Sequence, residues 1–191
     1  MKKILFLITV TLLFYGCGCE DEIVESYRLN EFEKSLIPYE SYQELSFIDD
    51  EGNTFIANSQ PKENIIDTNR AGPESCRLTE YEEETNFLNF QSKDILIKLE
   101  LTADNFTYFS LGITSENSDN NGLFDLACEE LFNLSIQERL TDISINQFEF
   151  QNVLVFQNCS ESTEIERIVY SNINGIEFIE FYDGKWLKLN E

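Results

Sequence analysis

From residue 42 onward, apolar and polar positions alternate with a period of two, the pattern of strands that bury one face. Leu45 and Phe47, then Phe55 and Ala57, flank the turn-rich stretch Asp49-Asp50-Glu51-Gly52-Asn53, which predicts a β-hairpin. Residues 58–73 carry Pro61, Gly72 and Pro73 among polar side chains and read as a long loop. Residues 76–90 resume as a strand, and residues 95–101 follow as a half-buried one, rich in isoleucine and leucine. Ala103-Asp104-Asn105 turns the chain into a further strand over 106–113. Residues 123–140 fit a strand or a short helix equally well. Ile143 and Ile145, then Phe148, Phe150, Val153 and Val155, alternate again around a kink at Asn146-Gln147.

The closing segment is the most regular. Three strands, over 165–170, 176–182 and 186–189, are joined by Asn172-Ile173-Asn174-Gly175 and by Asp183-Gly184. A two-residue Asp-Gly turn would pair Tyr182 with Lys185 and set Phe181 opposite Trp186, which makes Trp186 a packing residue rather than a ligand platform. At least ten strand-like segments with short connections predict a mainly β domain. It is expected as an antiparallel meander forming a curved sheet, half-barrel or sandwich, with at most one or two short helices. One of those helices is expected within 23–36, where Ile23, Tyr27, Phe32 and Leu36 form a loose helical stripe that ends before Pro38.

The start of the chain follows a different pattern. Lys2 and Lys3 precede an apolar run over 4–15, which suits a secretory signal and falls short of the roughly 20 residues that a membrane-spanning helix needs. Gly16 and Cys17 follow directly, with Phe14 and Tyr15 before them. A small residue and a cysteine at this boundary resemble the lipobox of bacterial lipoproteins, which implies that Cys17 is lipidated and becomes the mature N-terminus. Cys19 is the alternative acceptor. The resulting layout is a signal peptide over 1–16, a lipidated cysteine and acidic tether over 17–25, and a single all-β domain over 26–191. Glu20, Asp21 and Glu22 resemble the acidic export signal of Bacteroidetes surface lipoproteins. The C-terminal run VYSNINGIEFIEFYDGKWLKL, with INQFEFQNVLVF upstream, is similar to the closing meander of uncharacterised lipoproteins of that phylum. The resemblance implies an outer-membrane location, surface-facing, with a periplasm-facing domain as the alternative. It brings no catalytic residues with it.

Charge and chemistry narrow the functions further. The 191-residue chain carries 36 acidic and 13 basic residues, and losing Lys2 and Lys3 makes the balance still more negative. Such a surface repels phosphate backbones, so nucleic acid is not an expected partner, and only a lipid anchor would hold the protein at a membrane. The same crowding is expected to raise carboxylate pKa values and make the fold more stable as the pH falls from 7 towards about 5. The absence of histidine removes the Ser-His-Asp and Cys-His nucleophile pairs and the histidine zinc sites. With Cys17 lipidated, Cys19, Cys76, Cys128 and Cys159 remain at long spacings, compatible with one disulfide or none among the three distal ones. Asn117-x-Asp119-x-Asn121-Gly122 imitates the start of a calcium loop but lacks the first acid and the closing glutamate, so a hairpin turn is the better reading. No metal, cofactor or catalytic residue is expected. The leading expectation is a lipid-anchored envelope domain that binds a protein or glycan partner without transforming it. The rivals are a periplasmic carrier of an apolar ligand and a carboxylate-pair glycan hydrolase.

Overall fold

The computed structural model describes residues 20–73, 75–115, 122–125, 134–158 and 164–190. The chain divides into two compact units, residues up to Ser26 with Thr68–Glu80, and Tyr27–Asp67 with Tyr81–Glu191. The strands are β1 (Glu22–Tyr27), β2 (Gln43–Asp49), β3 (Thr54–Ser59), β4 (Glu63–Arg70), β5 (Arg77–Phe90), β6 (Ile95–Thr102) and β7 (Tyr108–Ser115). They continue as β8 (Gly122–Asp125), β9 (Thr141–Ile145), β10 (Phe148–Asn158), β11 (Ile165–Ser171), β12 (Gly175–Phe181) and β13 (Trp186–Leu189). A one-turn helix α1 (Glu31–Lys34) and a single 3-10 turn at Ile136–Arg139 are the helical pieces among the described residues.

Twelve strands form one antiparallel sheet, and β9 adds to β10 as a flanking hairpin. The mainly β, curved-sheet expectation is therefore met. In the larger unit the hydrogen-bonded order runs β3-β2-β13-β12-β11-β10-β8-β7-β6-β5. The sheet curls without closing into a full barrel, and its ends meet over a short seam where Asn58 faces Asn89 and Ser59 faces Leu88. Two meanders, β5 to β8 and β10 to β13, are thus joined through the β2–β3 hairpin. That hairpin lies where the sequence places it. Asp49 Oδ1 accepts from the amides of Glu51 and Asn53, and Gly52 supplies the positive φ of 84°.

Alternation along the strands sends one set of side chains into a single core. Phe47, Phe90, Ile97, Leu99, Phe109, Phe124, Phe156, Tyr170 and Ile179 are among its buried members. Phe109 meets Phe156 and Tyr170 edge-on, with centroids 5.2 Å away in each case. A smaller cluster covers the other face of the sheet. Ile145, Phe150, Val153, Val169 and Phe178 pack there with Phe148 and Trp186. Strand β10 serves both clusters because a bulge between Phe150 and Val153, with Asn152 at φ 56°, lets its first half pair β9 and its second half pair β11.

Several sequence-based expectations are corrected. The helix over 23–36 is replaced by β1 and the single turn α1, because Asn30 caps a new start there in a capping box with Glu33. Glu22 to Glu25, expected in the tether, belong to β1. The long loop over 58–73 contains β4, whose eight residues are all exposed and which therefore lacks a hydrophobic period. Finally, the last hairpin is shifted by one residue. Gly184 N donates to Phe181 O and Phe181 N to Lys185 O, which makes a three-residue loop with Gly184 at φ 83°. Trp186 consequently pairs with Glu180 rather than Phe181, and its ring lies 5.0 Å from Phe148 and 5.9 Å from Phe178. It remains a packing residue. The calcium-like stretch around Asn117 to Cys128, apart from β8, lies outside the described residues.

Candidate functional site

Strand β5 begins with an acidic run, Glu80-Tyr81-Glu82-Glu83-Glu84, and alternation places Glu82, Glu84 and Asn86 on the same inward face as Leu88 and Phe90. These polar groups are buried, with Glu82 at 5%, Glu84 at 2% and Asn86 at 0% exposure. Burying two carboxylates is costly unless both are paired and hydrogen-bonded. The chain between Leu29 and Asn64 supplies the partners. Lys34 Nζ lies 2.9 Å from Glu82 Oε1, and the amide of Leu29 donates to Glu82 Oε2 at 3.0 Å. Asn64 Nδ2 bridges the pair, 2.8 Å from Glu82 Oε1 and 3.2 Å from Glu84 Oε1. Lys62 Nζ sits 3.5 Å from Glu84 Oε2, 2.8 Å from Glu40 and 3.2 Å from the carbonyl of Lys34. The Lys62 contact to Glu84 is an ion pair without hydrogen-bond geometry, and Glu84 Oε2 accepts no hydrogen bond.

This cluster fastens a segment that covers one end of the sheet. Leu36, Ile37 and Tyr39 are buried there, and Leu29 is nearly so. Tyr39 O accepts from Lys62 N and from Asn86 Nδ2. Its hydroxyl accepts from Ile176 N at 2.8 Å and donates to the carbonyl of Asn174 at 3.3 Å. Tyr170 donates its hydroxyl proton to the Leu36 carbonyl. Burial raises the pKa of both phenols, so both stay protonated and able to donate.

The electrostatics separate a structural pair from a catalytic one. Burial raises the Glu82 pKa, but the bonds from Asn64, Lys34 and Leu29 N outweigh it, and the carboxyl ends below its ordinary range. Lys34 is raised in turn, chiefly by the same hydrogen bond. A carboxylate-pair hydrolase needs one acid held protonated near neutral pH. Glu82 is held in the opposite state, and the arrangement is that of an anchor for residues 27–41. A third buried acid, Glu180, pairs with Arg167 Nε at 2.6 Å and accepts from Asn146 Nδ2 at 3.1 Å.

Cys17, the expected lipid acceptor, lies outside the described residues. Glu20, Asp21 and Glu22 are exposed and belong to the smaller unit, where the last two are drawn into local structure. Asp21 pairs with Arg70 Nη2 at 2.6 Å, and Glu22 N donates to Cys76 O at 2.7 Å. Cys76 is disulfide-bonded. Among the described residues, no group of three or more acidic, cysteine or histidine side chains could hold a metal ion, and no helix is long and apolar enough to cross a membrane. Comparison with known proteins returned no matching family, no similar curated protein and no similar solved structure.

The buried Glu82–Glu84–Asn64–Lys62 cluster was not anticipated from sequence. Its signal was present in the alternation that carries Leu88 and Phe90 inward, which runs back through Asn86 to both acids.

Proposed function

We propose that this is a lipid-anchored envelope protein, held at the outer membrane through Cys17 and facing outward, whose β-domain binds a protein or glycan partner without transforming it. The observation that carries the location is the disulfide at Cys76, because such bonds persist in oxidising compartments beyond the cytosol. It agrees with an export signal over 1–16 and with a lipid rather than a basic patch as the membrane attachment. The contacts among buried Phe109, Phe156 and Tyr170 on the inner face support surface binding over a carrier role. The paired and ionised state of Glu82 weighs against acid catalysis in the same way.

Metabolic labelling with a fatty-acid analogue tests the anchor. Label is expected on the wild type and on Cys19→Ala, and is expected to be lost in Cys17→Ala. An unlabelled wild type would refute the anchored reading, and the reverse pattern would move the cleavage site to Cys19. Protease shaving of intact cells tests the face: cleavage supports the surface, and resistance of a domain that is digested readily when purified supports the periplasm.

A further inference from the structure

At one edge of the larger unit two half-buried tyrosines lie near two exposed aromatic side chains. Tyr27 and Tyr81 stack with ring centroids 5.6 Å apart and planes 22° from parallel. The Tyr27 hydroxyl donates to Asn105 Oδ1 at 3.0 Å, which ties the stacked pair to the β6–β7 turn. Phe106, the next residue of that turn, is 62% exposed, and Tyr108 at the start of β7 is 44% exposed. Tyr108 faces Thr102 on β6, and Thr102 faces Glu83 on β5, so ring and carboxylate lie in one row on the outer face, about 10 Å apart. Phe109 turns inward to the core, which leaves Phe106 and Tyr108 without a share in it. Scattered surface aromatics are ordinary, but here exposed Phe106 and Tyr108 adjoin a turn tied to the half-buried Tyr27–Tyr81 stack.

The charge around them identifies the occupant. Glu83, in the same row as Tyr108, lies close to Glu100 and Asp67, Asp104 is exposed two residues before Phe106, and the nearby Lys98 is paired with Glu100. Partial burial raises the Glu83 pKa, and repulsion from Glu100 adds to it, so a cation arriving here relieves a repulsion already in place. A second copy of this acidic chain brings the same charge and is repelled, as is any polyanion. Guanidinium groups fit both features at once: their flat faces stack on aromatic rings and their edges pair with carboxylates, which an ammonium does less well. The rings are spread over several strands, so one small cation would use only part of the surface.

We propose that the Tyr27–Tyr81–Phe106–Tyr108 surface, flanked by Glu83 and Asp104, is a docking site for an arginine-bearing segment of a partner protein. This rests on the reading of the domain as a binding module and is independent of how the chain is anchored. The test uses the purified chain without its signal residues and two fluorescent peptides of equal charge, deca-arginine and deca-lysine, titrated by anisotropy at physiological salt. The arginine peptide should bind more tightly. The charge-neutral double variant Phe106→Ala/Tyr108→Ala should weaken it about five-fold or more while leaving the lysine peptide nearly unaffected. Ile173→Ala, also exposed but on the β11–β12 turn, should change neither. Since all three positions are exposed, the variants should melt with the wild type, and that is checked first. Equal binding of both peptides, an unchanged affinity in the double variant, or an equal loss with Ile173→Ala would overturn the proposal. Any of these would leave the fatty-acid labelling result untouched, so failure of the site and failure of the anchor are distinguishable.

Discussion

Among the described residues three glycines adopt positive φ, and they separate two costs that are usually confounded. Gly52 and Gly184, at φ 84° and 83°, have nothing within 4 Å of where a Cβ would stand. Gly175 has a similar φ of 75°, but a Cβ there would fall within the van der Waals radii of Tyr39 Oη and Cζ and 2.9 Å from Cε2. Alanine at Gly52 or Gly184 therefore reports backbone strain alone, about 1–2 kcal/mol. Gly175→Ala adds overpacking of about 1–3 kcal/mol. If the ring is pushed aside, the bonds of its hydroxyl to Ile176 N and Asn174 O are lost as well, at about 1 kcal/mol each. With both bonds lost the expected total is about 4–7 kcal/mol, or about 8–28 °C in Tm for a chain of this size. Thermal and urea unfolding of the three variants, followed by circular dichroism, measures the difference. Tyr39→Ala removes the obstructing ring, so the double variant with Gly175→Ala should be less destabilised than the two single effects added, by at least 1 kcal/mol. If Gly175→Ala costs no more than Gly52→Ala, or if the double variant is additive, the packing account of this contact is wrong.

Two further substitutions probe the covered end of the sheet. Glu82 has a folded pKa below its unfolded value of about 4.5, so its stabilisation is complete at neutral pH and is lost as the pH falls through the folded value. Glu82→Gln should lower Tm at pH 7 but flatten its decline in acid, and parallel declines in the two proteins would refute the assignment. Tyr170→Phe removes the hydroxyl that holds the Leu36 carbonyl and should cost about 1–2 kcal/mol in urea unfolding; an unchanged midpoint would show that the bond contributes nothing.

Bulk charge and local hydrogen bonds push individual carboxylates in opposite directions. Crowded carboxylates were expected to gain stability as the pH falls, and Glu83 follows that rule, raised by burial and by Glu100. Asp49, Glu138 and Asp183 go the other way, held low by hydrogen bonds from Asn53, Ser135 and Lys185 respectively, and Glu82 joins them. Bonds at 3 Å act at full strength, whereas repulsion across the surface is screened. Composition records only the second effect.

The strands with one buried face were legible because burial writes a period of two into them, as in β6, where Ile97, Leu99 and Leu101 point inward. Strand β4 buries neither face and left no such trace. The register of Trp186 was misjudged because Asp-Gly serves both a two-residue turn and a three-residue loop closed by a left-handed glycine, and only the neighbouring packing chooses between them. The segment with Leu36, Ile37 and Tyr39 looked like the end of a helix, since nothing in its local pattern says that its partners are Tyr170 and Ile176.

Those partners have a consequence for how the chain folds. Tyr39 and Leu36 are satisfied by groups more than 130 positions later, and β2 pairs with β13, the last strand of the sheet. A nascent chain of only its first hundred residues has neither Tyr170 to hold the Leu36 carbonyl nor a second neighbour for β2. Contacts of such long range make folding slow, because the loop entropy must be met before the contact returns anything. The early segment therefore waits for the β11–β12 hairpin, an order of events compatible with the proposed export, in which a chain crosses a membrane before it folds.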